Sequence, residues 1–125
     1  MNNNLKEITI VLIAYKSAIK IKRFVKNIPS LVKILIIDNS KDRNLKKIFK
    51  NKKNVKIYFK KNEGYGSSIN YASKIIKTEY FLIVQPDVIG IKKTSLLSFY
   101  KYAKILKDKF AVIGPHFKNA SKRGH

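Results

Sequence analysis

The stretch VKILIIDNSKD, residues 32–42, decides the fold class, because an apolar run turns into a polar loop within one residue. The segment 32–38 is short and rich in β-branched side chains, which is typical of a strand buried in a sheet. Asp38 follows Ile37 directly. The stretch therefore predicts a buried strand that presents a carboxylate at its end.

Four other segments share this character, and we predict strands at 8–14, 55–59, 80–85 and 110–114 as well. The segments between them repeat apolar residues at helical spacing, and the first helix is expected to stop at Pro29. Strands that alternate with helices imply right-handed crossovers. We expect one α/β domain over 1–125, with a Rossmann-like, mostly parallel sheet of about five strands and helices on both faces. The apolar faces of the four helices are Ile21, Phe24 and Ile28; Leu45, Ile48 and Phe49; Ile69, Ala72, Ile75 and Ile76; and Leu96, Phe99, Tyr100, Ala103 and Leu106.

The charge is strongly basic, with 28 Lys and Arg against 7 Asp and Glu, a net charge of +21. This favours polyanions or an anionic membrane surface as partners, although a genome biased towards Lys, Ile and Asn codons explains the same excess. The dense basic run over 41–61 is best interpreted as a solvated face. The absence of cysteine excludes disulfides and thiolate metal sites.

The amino-terminal apolar run is too short to cross a bilayer and lacks a cleavage pattern, so we interpret it as a strand of a cytoplasmic protein. A peripheral position at the inner face of the membrane is compatible with the charge. Residues 118–125 form a polar tail, and the chain is expected to be incomplete there.

Four of the seven carboxylates follow predicted strands, at the edge where such sheets bind ligands: Asp38, Asp42, Glu63 and Asp87. Asp42 or Ser40 is also suited to starting the second helix, and capping is the favoured role of Asp42. Asp38 suits a base imide or a ribose hydroxyl. Asp87, with diphosphate oxygens, suits Mg²⁺ or Mn²⁺, whereas a plain Pro86–Asp87 turn is the alternative.

The loop NEGYGSSIN, residues 62–70, places glycines at a strand-to-helix turn, where the backbone can approach an anion at the helix start. It lacks the dinucleotide pattern G-x-G-x-x-G and follows the third predicted strand rather than the first, so it does not predict a nicotinamide cofactor.

Taken in order, ITIVLIAYKS, ILIIDNSKD, NEGYGSSIN, YFLIVQPDV and VIGP resemble the amino-terminal half of family 2 glycosyltransferases of the GT-A fold, nearest the rhamnosyltransferase-like branch. The resemblance runs over about 8–117. It implies a nucleotide-diphospho-sugar donor used in bacterial surface polysaccharide or glycan synthesis. The implied nucleotide-binding residues are Ala14, Tyr15, Asp38 and Ser40, the implied diphosphate and sugar residues are Asn62, Gly64, Gly66 and Asn70, and the implied metal ligand is Asp87.

Two departures from the family pattern limit the enzymatic expectation. Gln85 replaces the usual Asn or Asp, which leaves one carboxylate in the metal motif. The family's catalytic base lies in the acceptor half, beyond the fifth strand, so a partner chain is one possible source of it. Asp108 is poorly placed for that role, and His116 is a candidate for it, although a surface role is favoured for a lone histidine near a chain end. A non-catalytic nucleotide-sugar-binding module is therefore the alternative, and a nucleic-acid-binding protein is a weaker one.

Overall fold

The fold is known from a computed structural model, which describes residues 3–88, 90–106 and 110–113. Within these residues five parallel strands form one sheet in the order β3-β2-β1-β4-β5, which confirms the predicted Rossmann-like sheet. The strands are β1 (Ile8–Ala14), β2 (Lys33–Asp38), β3 (Val55–Phe59), β4 (Tyr80–Val84) and β5 (Phe110–Ile113).

Helices connect the strands, as the spacing of apolar residues predicts. They are α1 (Ala18–Lys26), α2 (Asn44–Ile48), α3 (Tyr65–Ile75) and α4 (Lys93–Leu106). A short 3-10 helix, Asn3–Glu7, precedes β1 and was not predicted; its Leu5 is buried in the core. None of the helices in the described part of the chain is long and apolar enough to cross a membrane.

Several predicted boundaries were wrong by a few residues. The first helix ends at Lys26 rather than at Pro29, because Asn27 and Ile28 donate to the carbonyls of Phe24 and Val25 in tighter, three-residue turns. Ile28 is nevertheless buried. The residues that lie just outside the elements predicted to contain them are Val32, Phe49, Ile76 and Gln85. Gly114, Asp108, His116 and the tail 118–125 lie outside the described residues.

Alternate residues of the strands β1 to β4 pack into two separate cores, which confirms helices on both faces. One core joins β1, β2 and β4 to α1, α2 and α4, through side chains such as Ile10, Ile21 and Leu96. The other joins the opposite face of the same strands to α3, through Val11, Leu35 and Ala72 among others. Strands covered on both faces read as near-continuous apolar runs, which is why the sequence shows so little alternation in them.

The register aligns the strand ends that carry polar loops. Ala14 pairs with Asp38, and Asp38 pairs with Phe59, so β1, β2 and β3 end at one level. The chain runs from β1 outward to β3 and then returns to the other side of β1 as β4. The switch in strand order therefore lies between β1 and β4, and the carboxyl edge there is the expected ligand crevice.

Candidate functional site

The loop after β2 is organised by the carboxylate of Asp38, which is fully buried, with 0% of its surface exposed. Its Oδ1 accepts hydrogen bonds from the Ser40 backbone N–H at 3.1 Å and from Ser40 Oγ at 2.7 Å. Its Oδ2 accepts from the Asp42 backbone N–H at 2.6 Å. The carboxylate thus holds residues 38–42 in a tight turn, and the ligand role predicted for Asp38 stays a prediction.

Ser40 joins this loop to the loop after β1. Its hydroxyl donates to Asp38 and accepts from the Lys16 backbone N–H at 2.9 Å, while the Asn39 N–H donates to the Ala14 carbonyl at 2.8 Å. Lys16 and Lys41 both adopt left-handed backbone conformations, with φ of 51° and 55°. Such φ values are uncommon for residues other than glycine and concentrate at functional sites.

The two predicted base-binding residues on β1 differ in what they offer. The Ala14 side chain is buried in the core beneath the sheet edge, so only its backbone faces the loops. Tyr15 is 54% exposed, with Lys16 Nζ 5.5 Å from the centre of its ring. Tyr15 therefore supplies an exposed aromatic face beside the two joined loops.

Asp42 has the capping role that the sequence favoured. Its Oδ1 accepts a hydrogen bond from the backbone N–H of Asn44, the first residue of α2, at 3.0 Å. A side-chain oxygen that accepts a free N–H at a helix start removes one unsatisfied donor. This contact agrees with the favoured interpretation, although Asp42 lies one residue before the N-cap position, which Arg43 occupies without a side-chain hydrogen bond.

The start of α3 meets the β2 loop at the same edge. Ser68, which is fully buried on α3, shares a hydrogen bond of 3.1 Å with Asn39 Oδ1. Gly64 precedes the helix with φ 103° and ψ 160°, a conformation that is essentially restricted to glycine. No side chain of the described residues caps this helix, so its first N–H groups remain available to an anion.

The remaining residues of the 62–70 loop present open surface. A Cβ atom added at Gly66 would meet no atom within 4 Å, so no protein contact within the described residues requires a glycine there. Asn62 and Asn70 are both exposed. Because Gly66 and Asn70 are four residues apart, they lie on one face of α3.

Glu63 forms an ion pair with Lys60, the first residue after β3. Its Oε1 lies 2.9 Å from Lys60 Nζ. This hydrogen bond and the charge of Lys60 hold the pKa of Glu63 below its usual value. The pair steadies the strand-to-loop junction rather than presenting a free carboxylate.

Asp87 lies in a β-turn over residues 85–88, in which the Val88 N–H donates to the Gln85 carbonyl at 3.0 Å. Pro86 occupies the second position of this turn, which it favours. The turn of the alternative interpretation is therefore present, but the Asp87 side chain is exposed. Leu12 of β1 pairs with Val84 of β4, so Asp87 lies just beyond the level of Ala14. It is on the β4 side of β1, whereas Asp38 is on the β2 side.

The sequence profile of glycosyl transferase family 2 matches residues 9–122. The chain belongs to glycosyl transferase family 2. The crystal structure of S. aureus TarS, residues 1–349, is similar with a TM-score of 0.64 and 22% sequence identity. The match covers 78% of this chain and 32% of the TarS chain, so this chain spans about a third of that length. No curated protein matches the chain.

Asp87 is the carboxylate at the metal position that the family implies. The described residues contain no group of three or more His, Cys, Asp or Glu side chains that could hold a metal ion. Mg²⁺ accepts one or two carboxylates when phosphate oxygens and water complete its shell. Asp87 therefore fits a metal that arrives with a diphosphate, not a site that binds metal by itself.

A small cavity of about 120 Å³ opens beside Asp87, between α1 and the segments 86–88 and 90–91. Lys20 and Arg23 of α1 line it together with Asp87. Sequence reasoning missed these two cations, although their spacing of three places them on one face of the helix. They add positive charge at the switch point of this family 2 domain.

The structure joins three of the predicted site residues of the family 2 domain directly and leaves the others at separate positions along the same edge of the sheet. Asp38, Ser40 and the backbone of Ala14 share one hydrogen-bonded unit, and Asn39 links it to α3. Asp87 stands apart on the β4 side of β1. The nucleotide and metal parts of the predicted site thus lie on opposite sides of the central strand.

Proposed function

We propose that this chain binds the nucleotide-diphospho-sugar donor of an inverting glycosyltransferase that acts in the synthesis of a bacterial surface polysaccharide or other glycan. One observation carries the proposal. The loops at 14–17 and 38–42 are hydrogen-bonded into one unit, and the uncapped start of α3 is attached to it at the carboxyl edge of the sheet.

The nucleoside would bind against the joined loops. Both oxygens of Asp38 already accept hydrogen bonds and the side chain is fully buried, so a direct contact to a base or ribose requires the 38–42 loop to shift and expose one of the carboxylate's further acceptor positions. Asp38 and Ser40 act first by fixing the loop shape. Tyr15 then offers its exposed ring to the base.

The diphosphate and sugar would bind between α3 and β4. The free N–H groups at the start of α3 suit phosphate oxygens, and the open space at Gly66 lets them approach the backbone. Asn62 and Asn70 offer amides to the sugar or the phosphates. A divalent ion held by Asp87 and the diphosphate would neutralise charge on the leaving group.

In the proposed reaction an acceptor hydroxyl attacks the anomeric carbon of the sugar. The bond to the nucleoside diphosphate breaks, and the configuration inverts. The hydroxyl proton passes to a base that we assign to an acceptor-binding half, supplied by a further segment or a partner chain. Membership of the rhamnosyltransferase-like branch and a cytoplasmic location are the finer parts of this proposal. The first rests on the family resemblance, and the second rests on the short amino-terminal apolar run without a cleavage pattern.

A non-catalytic donor-binding module is the second candidate. It is favoured by the single carboxylate of the metal motif, since Gln85 replaces the usual first ligand. The two candidates share the donor site and differ in turnover. We expect the purified chain to bind uridine or thymidine diphosphate sugars and to transfer negligible sugar by itself.

Calorimetric titration of uridine and thymidine diphosphate, with and without Mn²⁺, tests the proposal. We expect Mn²⁺ to strengthen binding to the wild type, and we expect Asp87→Asn to lose that enhancement while keeping the metal-free affinity. Asn serves a turn about as well as Asp, so the fold should be unaffected. Equal enhancement in both proteins would rule out the metal role, and no binding to the wild type would overturn the donor site.

A further inference from the structure

A second cavity lies at the opposite, amino-terminal edge of the sheet, and it has a volume of about 770 Å³. The beginnings of β1, β2 and β3 and the end of α3 line it. We call it the lysine groove after its six lysines: Lys6, Lys33, Lys53, Lys56, Lys74 and Lys77.

The groove exists because α3 is too short to cover its face of the sheet. The helix ends at Ile75, and Ile76 is already extended. Lys33 and Lys56 lie on the same sheet face as Leu35 and Tyr58, because side chains two residues apart share a face. Leu35 is buried, whereas Lys33 and Lys56 at the uncovered end are exposed.

The charge of the groove is not compensated within its lining. All six lysines are exposed, and no Asp or Glu is among the described residues that line the groove. Glu7 and Glu79 are the carboxylates adjacent to lining segments in the chain. Six like charges around one depression repel each other and raise the local concentration of anions.

Apolar side chains also line the groove, between the lysines. Ile75 and Ile76 are half-buried at its side, and Leu31 at its rim is 43% exposed. An exposed apolar residue within a ring of lysines is the combination that peripheral proteins use at the headgroup boundary, where lysines meet phosphates and the apolar side chain reaches the acyl region.

We infer that the lysine groove docks on a bilayer surface rich in anionic phospholipid. Nucleic acid suits it less well. Tyr58 is the one aromatic residue among the described residues that line the groove, and it is partly buried, with its ring packed edge-to-face on Tyr71 at 6.0 Å. Single-stranded nucleic acids need exposed rings on which bases stack.

Docking at this edge orients the molecule. The strands run from the groove to the candidate donor site, and a strand of seven residues, the length of β1, spans roughly 23 Å. The donor site would therefore face away from the membrane and stay open to a soluble donor. Lipid binding itself does not depend on the proposed transferase function.

Sedimentation with vesicles of phosphatidylglycerol or of phosphatidylcholine tests the inference on the intact chain. The groove variant is Lys33→Gln/Lys56→Gln/Lys74→Gln. The matched control is Lys22→Gln/Lys26→Gln/Lys47→Gln, which removes the same charge from exposed positions on α1 and α2, at the opposite sheet face. We expect the groove variant to lose roughly 100-fold in affinity for phosphatidylglycerol vesicles and the control to lose less than about fivefold.

A second variant, Leu31→Ser, tests the apolar contact and keeps all the charges. We expect it to weaken vesicle binding severalfold without changing the salt dependence. Equal losses in the groove and control variants would show diffuse attraction and overturn the docking site. The inference also fails if the groove variant loses affinity for single-stranded RNA while its vesicle binding is unchanged, and binding to phosphatidylcholine equal to that to phosphatidylglycerol contradicts it too.

Discussion

The aspartates at or just after the ends of β2 and β4 follow similar apolar runs but lie in opposite environments. Each lies within three residues of the end of a buried strand. Asp38 is fully buried and accepts three hydrogen bonds from its own loop. Asp87 is exposed in a turn that Pro86 and the Gln85–Val88 hydrogen bond already define.

The difference separates two uses of one sequence pattern. The conformation of the β2 loop depends on the Asp38 carboxylate, because this carboxylate accepts hydrogen bonds from N–H and O–H donors that the turn would otherwise bury unpaired. The turn after β4 forms by means of its backbone hydrogen bond and its proline. A carboxylate that stabilises its own loop is therefore weaker evidence for a ligand site than an exposed carboxylate that the fold does not require.

The largest expected effect comes from removing the buried carboxylate. Asp38→Ala leaves two backbone N–H groups and the Ser40 hydroxyl without their acceptor, and we expect the free energy of unfolding to fall by about 3 kcal/mol. Asp87→Ala should change it by less than about 0.5 kcal/mol. Urea denaturation of both variants measures the contrast.

Similar losses in the two aspartate variants would break the comparison. Asp38→Asn sharpens it, since this variant keeps one oxygen acceptor. If Asp38 also contacts the nucleoside, Asp38→Asn should weaken nucleoside diphosphate binding equally with and without Mn²⁺, in contrast to Asp87→Asn.

A pair of glycines extends the comparison to α3. Gly64→Ala forces a side chain into a backbone conformation that only glycine tolerates, and we expect a loss of about 1 to 3 kcal/mol. Gly66→Ala adds a methyl group that meets no atom of the described residues within 4 Å. Because alanine favours the helix more than glycine does, we expect this variant to stabilise the fold by about 0.5 to 1 kcal/mol. Thermal unfolding of the two variants measures whether each is more or less stable than the wild type.

Gly66→Ala also separates stability from function. If the diphosphate approaches the backbone there, the more stable variant should bind nucleoside diphosphates more weakly. A variant that is more stable and binds equally well would place the diphosphate elsewhere.

The smallest effect is expected at Glu63, which is exposed like Asp87 but has an ionic partner. Because the pKa of Glu63 is lowered in the folded protein, its contribution to stability is present above the unfolded pKa and is lost as the pH falls through the folded pKa. Glu63→Gln should therefore be slightly less stable than the wild type at neutral pH and equal to it in acid. Melting temperatures between pH 7 and the acid range, followed in both proteins, measure this, and a constant difference would contradict it.

Sequence alone determined the elements and their order. The apolar run at 8–14 matches β1 residue for residue, because a central strand covered on both faces must be apolar throughout. The segment predicted at 55–59 also has the bounds of β3, although β3 is an edge strand and its Lys56 is exposed. The ends of α1 and α3 were less predictable. Hydrogen bonds at Asn27 and an extended backbone at Ile76 end these helices, and neither depends on the apolar spacing from which they were predicted.

Only the tertiary structure decided what the polar loop residues do. The sequence placed Asp38, Asp42, Glu63 and Asp87 after strands, and it favoured capping for Asp42 and a ligand role for Asp38 and Asp87. Burial and hydrogen-bond partners divide the four into a loop organiser, a helix cap, one half of an ion pair and an exposed ligand candidate. The lysine groove was equally invisible, since its lysines come from segments far apart in the chain. Burial, hydrogen-bond partners and local charge depend on which segments meet in space, and these contacts arise only when the sheet assembles.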